Sequence, residues 1–478
     1  MPRATVLARR LTLTAALGAT LTTAAPPPGT AAASTTPEPG RRTVTGAING
    51  ADYRVELPAH WNGTLVLYSH GYLPEGFPPF GTALTNRPPD RSETEVWLLD
   101  HGYALAASQF AEDGLGYAVE RGLRDQIALL DWFESNVGRP RRTIATGQSM
   151  GASIATLLAE RNPHRFAGVA TLCGEYDPHG GLNAGLDVLF AIRTLLAPDA
   201  GIDLVRPTDP AASGAALGAA VDEALGTPEG RARIALAAAL NNVTGWYSAH
   251  EPRPTDPLVR VQNQAEWLKY AYTLGSGPPA RTNLERRAGG NPSSNVGVDY
   301  RRQLSRSAQT EQVERAYQVA GLDLRADLSR LAAAPRIAAD PAAVGYMYRY
   351  GVPTGRTPVP VVSMHTTGDG GAPPDQERWY ADQVRRAGDP GRLRQLHVAR
   401  GGHCSFSAAE EIVLLRTLFA RLDTGRWPDT SARRLNDQAN ALGAGYQLVL
   451  DLGRTFQDAP MPPAFTSFTP PTALRPSR

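Results

Sequence analysis

Lysine is almost missing from this 478-residue chain: Lys269 stands alone, and arginine supplies the rest of its 48 basic residues. Such a bias fits a GC-rich genome and carries no functional reading. Excess charge of either sign is missing too. The 48 basic residues face 46 acidic ones, and no basic run stands out, which argues against a protein that coats nucleic acid. Cysteine is scarce, with only Cys173 and Cys404. Two cysteines cannot make a zinc ribbon, and HExxH is absent, so no metal site is evident. The first strand signal runs into His70-Gly71-Tyr72-Leu73-Pro74, which is no Gly-rich nucleotide loop. No cofactor is expected. What remains is 42% apolar and 20% charged, enough for a globular core, with Gly and Pro (47 and 40 residues) pointing to many loops.

The N-terminus reads as an export signal. Arg3, Arg9 and Arg10 precede an uncharged stretch from Leu11 to Ala25, and cleavage would fall after Ala25 or after Ala33. Arg9-Arg10 is loosely compatible with twin-arginine export. The first 33 residues carry three arginines and no acid, so without them the net charge is close to −1. The stretch is too short and too rich in Thr and Ala for a comfortable membrane span, and no other segment resembles one. A secreted, extracellular product is expected. In an oxidising compartment the two cysteines either pair or stay buried as free thiols.

Further along, residues 62–69 (NGTLVLYS), 102–108 (GYALAAS), 142–148 (RTIATGQ) and 166–173 (FAGVATLC) read as buried strands. Helical patterns at 117–136 and 150–161 lie between them. The alternation predicts an α/β fold with a mostly parallel sheet flanked by helices. From 178 to about 345 it gives way to helices (182–197, 210–225, 229–241, 257–273, 309–320, 323–333). It resumes with a strand at 358–365, a helix at 375–387, a strand at 392–399 and a helix at 407–422. The expected organisation is a signal and leader start over 1–33, an N-terminal extension over 34–54 and an α/β core over 55–177. A large helical cap over 178–350 follows, then the second part of the core over 351–424. Residues 425–478 form a C-terminal extension, helical or extended over 430–457, with a poorly ordered Pro-rich tail from Pro460.

Gly147-Gln148-Ser149-Met150-Gly151 fits G-x-S-x-G between a strand and a helix, the context that motif needs to present a serine on a sharp turn. A serine needs a base. His403 follows the last strand of the α/β pattern; His70, His365 and His397 are its rivals, the last two on or near strand segments. The orienting acid is assigned to Asp369, in the loop after the 358–365 strand. Glu175 and Asp177 are rivals that would otherwise bind substrate or shape a turn. The order Ser149, Asp369, His403 is that of one of the convergent serine triads. Oxyanion donors are expected from the backbone N–H groups of Met150 and Tyr72.

These motifs, HG (70–71), GQSMG (147–151), TTGDG (366–370) and GGHC (401–404), resemble the α/β-hydrolase superfamily over 55–175 and 355–423, in particular secreted bacterial serine hydrolases of esterase type. The resemblance implies a cap between the sixth and seventh strands. A serine nucleophile disfavours haloalkane dehalogenases. Tannases and fungal-type feruloyl esterases carry cysteines directly before the serine and directly after the histidine; here Cys404 follows His403, but Gln148 precedes Ser149. The likeness is partial, and it suggests Cys173 as the partner of Cys404 in a disulfide.

The function expected is hydrolysis of small-molecule or polymer esters through an acyl-enzyme. The alternative is a serine exopeptidase or amidase of the same fold, for which Glu251, Asp256 and Glu266 would be candidates to hold a substrate amino terminus. A non-catalytic binding protein is a third, less favoured reading. Trp246, Tyr247, Trp267, Tyr270 and Tyr272 in the cap either pack or line an acyl pocket.

Overall fold

The chain enters the fold as a hairpin, most of it within the segment expected as an N-terminal extension. In the computed structural model, which describes residues 40–74, 92–111 and 114–477, β1 (Arg42–Ile48) pairs antiparallel with β2 (Ala51–Leu57). Asn49-Gly50 turns between them with both φ angles positive, 52° and 80°, the turn that Asn-Gly favours. The signal and leader start expected over 1–33 lie outside the described residues.

The strands β3 (Thr64–Ser69), β4 (Ala104–Ser108), β5 (Arg142–Gln148), β6 (Gly168–Leu172), β7 (Val361–Gly368) and β8 (Leu393–Gly401) form the parallel centre of the sheet. The order is β1-β2-β4-β3-β5-β6-β7-β8, closed by β11 (Phe465–Thr466), with β2 and β11 antiparallel to their neighbours. A short separate ladder joins β9 (Leu448–Leu450) to β10 (Asp458–Pro460). The central strands are short and almost continuously buried, because helices cover both faces.

Helices α1 (Ser92–Asp100), α2 (Val119–Asn136) and α3 (Met150–Arg161) follow β3, β4 and β5 in turn. The cap helices are α4 (Pro178–Leu196), α5 (Pro210–Ala224), α6 (Pro228–Ala239), α7 (Pro257–Trp267), α8 (Pro278–Ala288), α9 (Tyr300–Ser305), α10 (Thr310–Ala320), α11 (Leu324–Ala333) and α12 (Pro341–Tyr350). They leave the sheet after β6 and return at β7. Helices α13 (Asp375–Ala387), α14 (Ala408–Thr424) and α15 (Ala432–Asn440) complete the chain. Leu129 and Phe133 of α2, Ile154 and Leu157 of α3 and Trp379 of α13 share one buried cluster. Leu98 of α1 and Ile412 and Leu415 of α14 fill another. The cap has its own core, built on Val188, Phe190, Leu217, Ile234, Val261 and Val313. Burying each such side chain contributes roughly 1.5–3 kcal/mol.

Several cap helices start the same way. Asp177, Asp209, Thr227 and Asp256 each precede a proline and accept a hydrogen bond from a first-turn N–H. The side chain satisfies an orphan donor, while proline occupies the position whose N–H is unused. The segment 257–273, expected as one helix, is α-helical to Trp267 and π-helical over Leu268–Leu274. Helices α8, α9 and α12 had no counterpart in the sequence reading.

The Pro-rich end does not behave as a loose tail. The N–H of Ser477 donates to Asp177 Oδ2 at 2.7 Å, and Arg475 pairs with the buried Asp187. The prolines there set an extended course, and buried carboxylates of α4 and the loop before it hold that course in place.

Candidate active site

Ser149 lies between β5 and α3 in a backbone conformation that non-glycine residues avoid, with φ 53° and ψ −123°. Holding it there costs on the order of 1–3 kcal/mol, stored by the surrounding packing. Two glycines make the turn possible. A Cβ on Gly147 would collide with the carbonyl of Gly151, and one on Gly151 with the carbonyl of Ser69. Met150 is the first residue of α3, so its N–H has no acceptor within the helix, and the positive helix end lies under the serine.

His403 Nε2 is 2.9 Å from Ser149 Oγ, and His403 Nδ1 is 2.6 Å from Asp369 Oδ2. With Nδ1–H donating to the carboxylate, Nε2 is left to accept from the serine hydroxyl. Asp369 is fully buried, and its Oδ1 accepts from the N–H groups of Gly371 and Ala372 at 2.8 and 3.0 Å. Burial pushes this carboxyl up, but His403 and His365 outweigh it and hold it at about 2. The structure thus brings Ser149, His403 and Asp369 into one chain of hydrogen bonds.

The histidine loop is braced from two sides. Cys404 is disulfide-bonded to Cys173 at the end of β6, with a Cα–Cα distance of 5.2 Å. Buried Arg400 makes a two-pronged pair with Glu410 at 2.6 and 3.0 Å and donates to the Ser405 carbonyl across the loop. Glu410 also completes a capping box with Ser407 at the start of α14. Sequence reasoning missed this brace, although Ser407-x-x-Glu410 is its signal. Cys173, His403 and Cys404 lie close enough to share a metal ion, but sulfurs bonded to each other offer no thiolate.

The rival acids do other things. Asp177 caps α4 through the Gly180 N–H at 2.9 Å. Glu175 is tied to the nucleophile through its backbone: its N–H donates to the Ser149 carbonyl at 3.3 Å, and its carbonyl accepts from the Ser153 hydroxyl. Burial pushes the Glu175 carboxyl up to about 7, with His403 opposing. Of the rival histidines, His70 stacks on Phe110 and His397 packs edge-on against Phe468. His365 touches Asp369 from behind, 3.4 Å from Oδ2.

Gly71 packs against Ser149, and the next residue, Tyr72, places its ring 5.0 Å from Tyr117. From the cap, the Trp267 indole covers Gly370 and Gly371 beside His403, and Tyr272 donates to the Gly370 carbonyl at 3.1 Å. Trp246 and Tyr247 pack behind Trp267, while Tyr270 is half exposed. Glu251 pairs with Arg454, Glu266 with Lys269, and Asp256 caps α7; all three line a separate cleft of about 920 Å³.

A family model described as Esterase matches residues 91–270. The o-phthalyl amidase of Xanthobacter agilis is 30% identical over 432 residues, which cover 83% of this chain and 90% of that protein. The chain belongs to the α/β-hydrolase superfamily, in the family of that amidase. Among solved structures, feruloyl esterase B from Aspergillus oryzae is similar at 11% identity over 81% of this chain and 82% of its own, with TM-score 0.39. A puromycin-hydrolyzing peptidase from Mycobacterium tuberculosis is similar at 12% identity over 81% of this chain and 39% of its own, with TM-score 0.34. As a member of this superfamily the chain is a hydrolase. No helix among the described residues is long and apolar enough to cross a membrane.

Proposed function

We propose that this hydrolase cleaves carboxylic esters through an acyl-enzyme on Ser149, with His403 as general base and then general acid and Asp369 as its orienting acid. The observation that carries the reading is the hydrogen-bonded series Ser149 Oγ, His403, Asp369 at 2.9 and 2.6 Å. Ser149 Oγ attacks the substrate carbonyl as His403 Nε2 takes its proton. The tetrahedral oxyanion is stabilised by the N–H groups of Met150 and Tyr72. His403 then protonates the leaving group, and water repeats the sequence to release the acid. The aromatic rings of Tyr72, Tyr117, Trp267 and Tyr272 around this centre suit an aromatic acyl group. The disulfide supports an exported enzyme, since such bonds persist in oxidising compartments.

A second reading, amide hydrolysis, is favoured by the amidase relative. The cap acids do not favour an aminopeptidase, because Glu251, Asp256 and Glu266 are already engaged away from Ser149. Matched p-nitrophenyl esters and p-nitroanilides of benzoate and phthalate would separate the readings. The proposal expects ester turnover and its loss in Ser149→Ala; turnover of anilides at a comparable rate would make amides the proper substrates.

A further inference from the structure

Asp369 has a second imidazole against it. His365 stands four residues earlier on β7 and is fully buried. Its Nε2 is 2.9 Å from the Ala372 carbonyl and 3.4 Å from Asp369 Oδ2, and its Nδ1 is 3.4 Å from Glu377 Oε1. Both ring nitrogens therefore face only oxygen acceptors. A neutral imidazole carries one N–H and one bare lone pair, and here that lone pair would point at a carboxylate or a carbonyl. Glu377 meanwhile accepts on Oε2 from the Ser363 hydroxyl at 2.6 Å and from the Gln395 amide, as an ionised carboxylate does. Two buried carboxylates around one ring are far less costly when that ring is charged.

The other titratable groups facing His365 are Asp375 and His397. Burial pushes Asp375 up to about 7, and burial pushes His397 down. Burial also opposes a charge on His365, but its hydrogen bonds to Asp369 and Glu377 carry it up to about 10.

We propose that His365 is a resident imidazolium clasped between Asp369 and Glu377, a positioning residue that fixes the Asp369 carboxylate on His403 and offsets part of its charge. The inference rests on the triad reading above. Asp369 Oδ2 is shared by two imidazoles, one mobile in charge and one permanently charged. The fixed cation draws on the same carboxylate and so favours the neutral, proton-accepting form of the triad histidine.

The test is the pH dependence of kcat/KM on a neutral p-nitrophenyl ester for wild type and His365→Gln, read beside ring ¹⁵N spectra of the wild-type histidines at about pH 8.5, where an ordinary histidine is neutral. Wild type should show an imidazolium pair for His365. The variant, having lost a nearby positive charge, should move its acid limb upward by on the order of one pH unit, with KM little changed. A merely structural role would lower kcat or Tm and leave the limb in place. A limb that stays or moves down, or a neutral-tautomer spectrum for His365, overturns the proposal. If His365→Gln does not fold, the wild-type spectrum decides, its signal assigned by survival in single Gln variants of each of the other eight histidines. Ser149→Ala run alongside separates the cases: if it retains turnover, the triad reading has failed and not merely the role of His365.

Discussion

Cys404, the residue after His403, is covalently bonded to Cys173, the residue that follows β6, two positions before Glu175. The proposed base is therefore held to the strand beside the nucleophile by more than loop packing. Both cysteines have positive φ, 43° and 56°, so the link spans two conformations that loops alone hold poorly. Replacing both cysteines by alanine should cost roughly 2–5 kcal/mol of stability. It should also lower kcat more than it raises KM. Denaturant unfolding and steady-state kinetics of the double variant check this; unchanged kcat in a folded variant would show that the link does not position the histidine.

Asp369→Asn should lower kcat by about 10³–10⁴-fold with little change in KM, because the amide no longer stabilises the imidazolium formed during attack. Glu175→Gln and Asp177→Asn should lose far less kcat. A larger loss in Glu175→Gln than in Asp369→Asn would move the orienting role to the loop after β6.

Glu175 gives a pH prediction of opposite sign to that of His365. Burial raises its carboxyl to about 7, so it is neutral below that pH and negative above it. A negative Glu175 favours a protonated His403. Glu175→Gln removes that charge, and the acid limb of kcat/KM should move to lower pH, whereas His365→Gln moves it to higher pH. Profiles of both variants on one neutral ester check the pair; shifts in the same direction would contradict the electrostatic picture.

Arg475 anchors the chain end on Asp187, which is fully buried and also accepts from Tyr300 and Gln303 at 3.0 Å each. Arg475→Ala leaves that carboxylate without its cation. A loss of about 2–4 kcal/mol is expected, seen as a lower Tm with kcat retained. A neutral effect would mean that the neighbouring hydroxyl and amide donors suffice.

The parallel strands and flanking helices were legible because buried strands in such sheets are short apolar runs between turn signals, as in Thr143–Ala145 and Val169–Leu172. Ser149, Asp369 and His403 were legible because each follows a strand at the same sheet edge. The hairpin over 42–57 was missed although Asn49-Gly50 announces it; its outer strand is mostly exposed, and only Val44 and Ile48 pack toward the core. The repeated Asp-Pro and Thr-Pro starts of the cap helices were equally readable, yet helices α8 and α9 carry too few periodic apolar residues to stand out. The packed end was hidden for a different reason. Its stability comes from Asp177 and Asp187, some 290–300 residues away, and no local pattern reports such a contact. Likewise His365 reads as a strand histidine until the fold sets it between Asp369 and Glu377.

The most direct measurement is intact and peptide mass after reaction with a fluorophosphonate, beside hydrolysis of a p-nitrophenyl ester. The account predicts one adduct per chain, located on Ser149, with turnover abolished in proportion to labelling. An adduct on another serine, or full labelling of Ser149 with turnover intact, would contradict it.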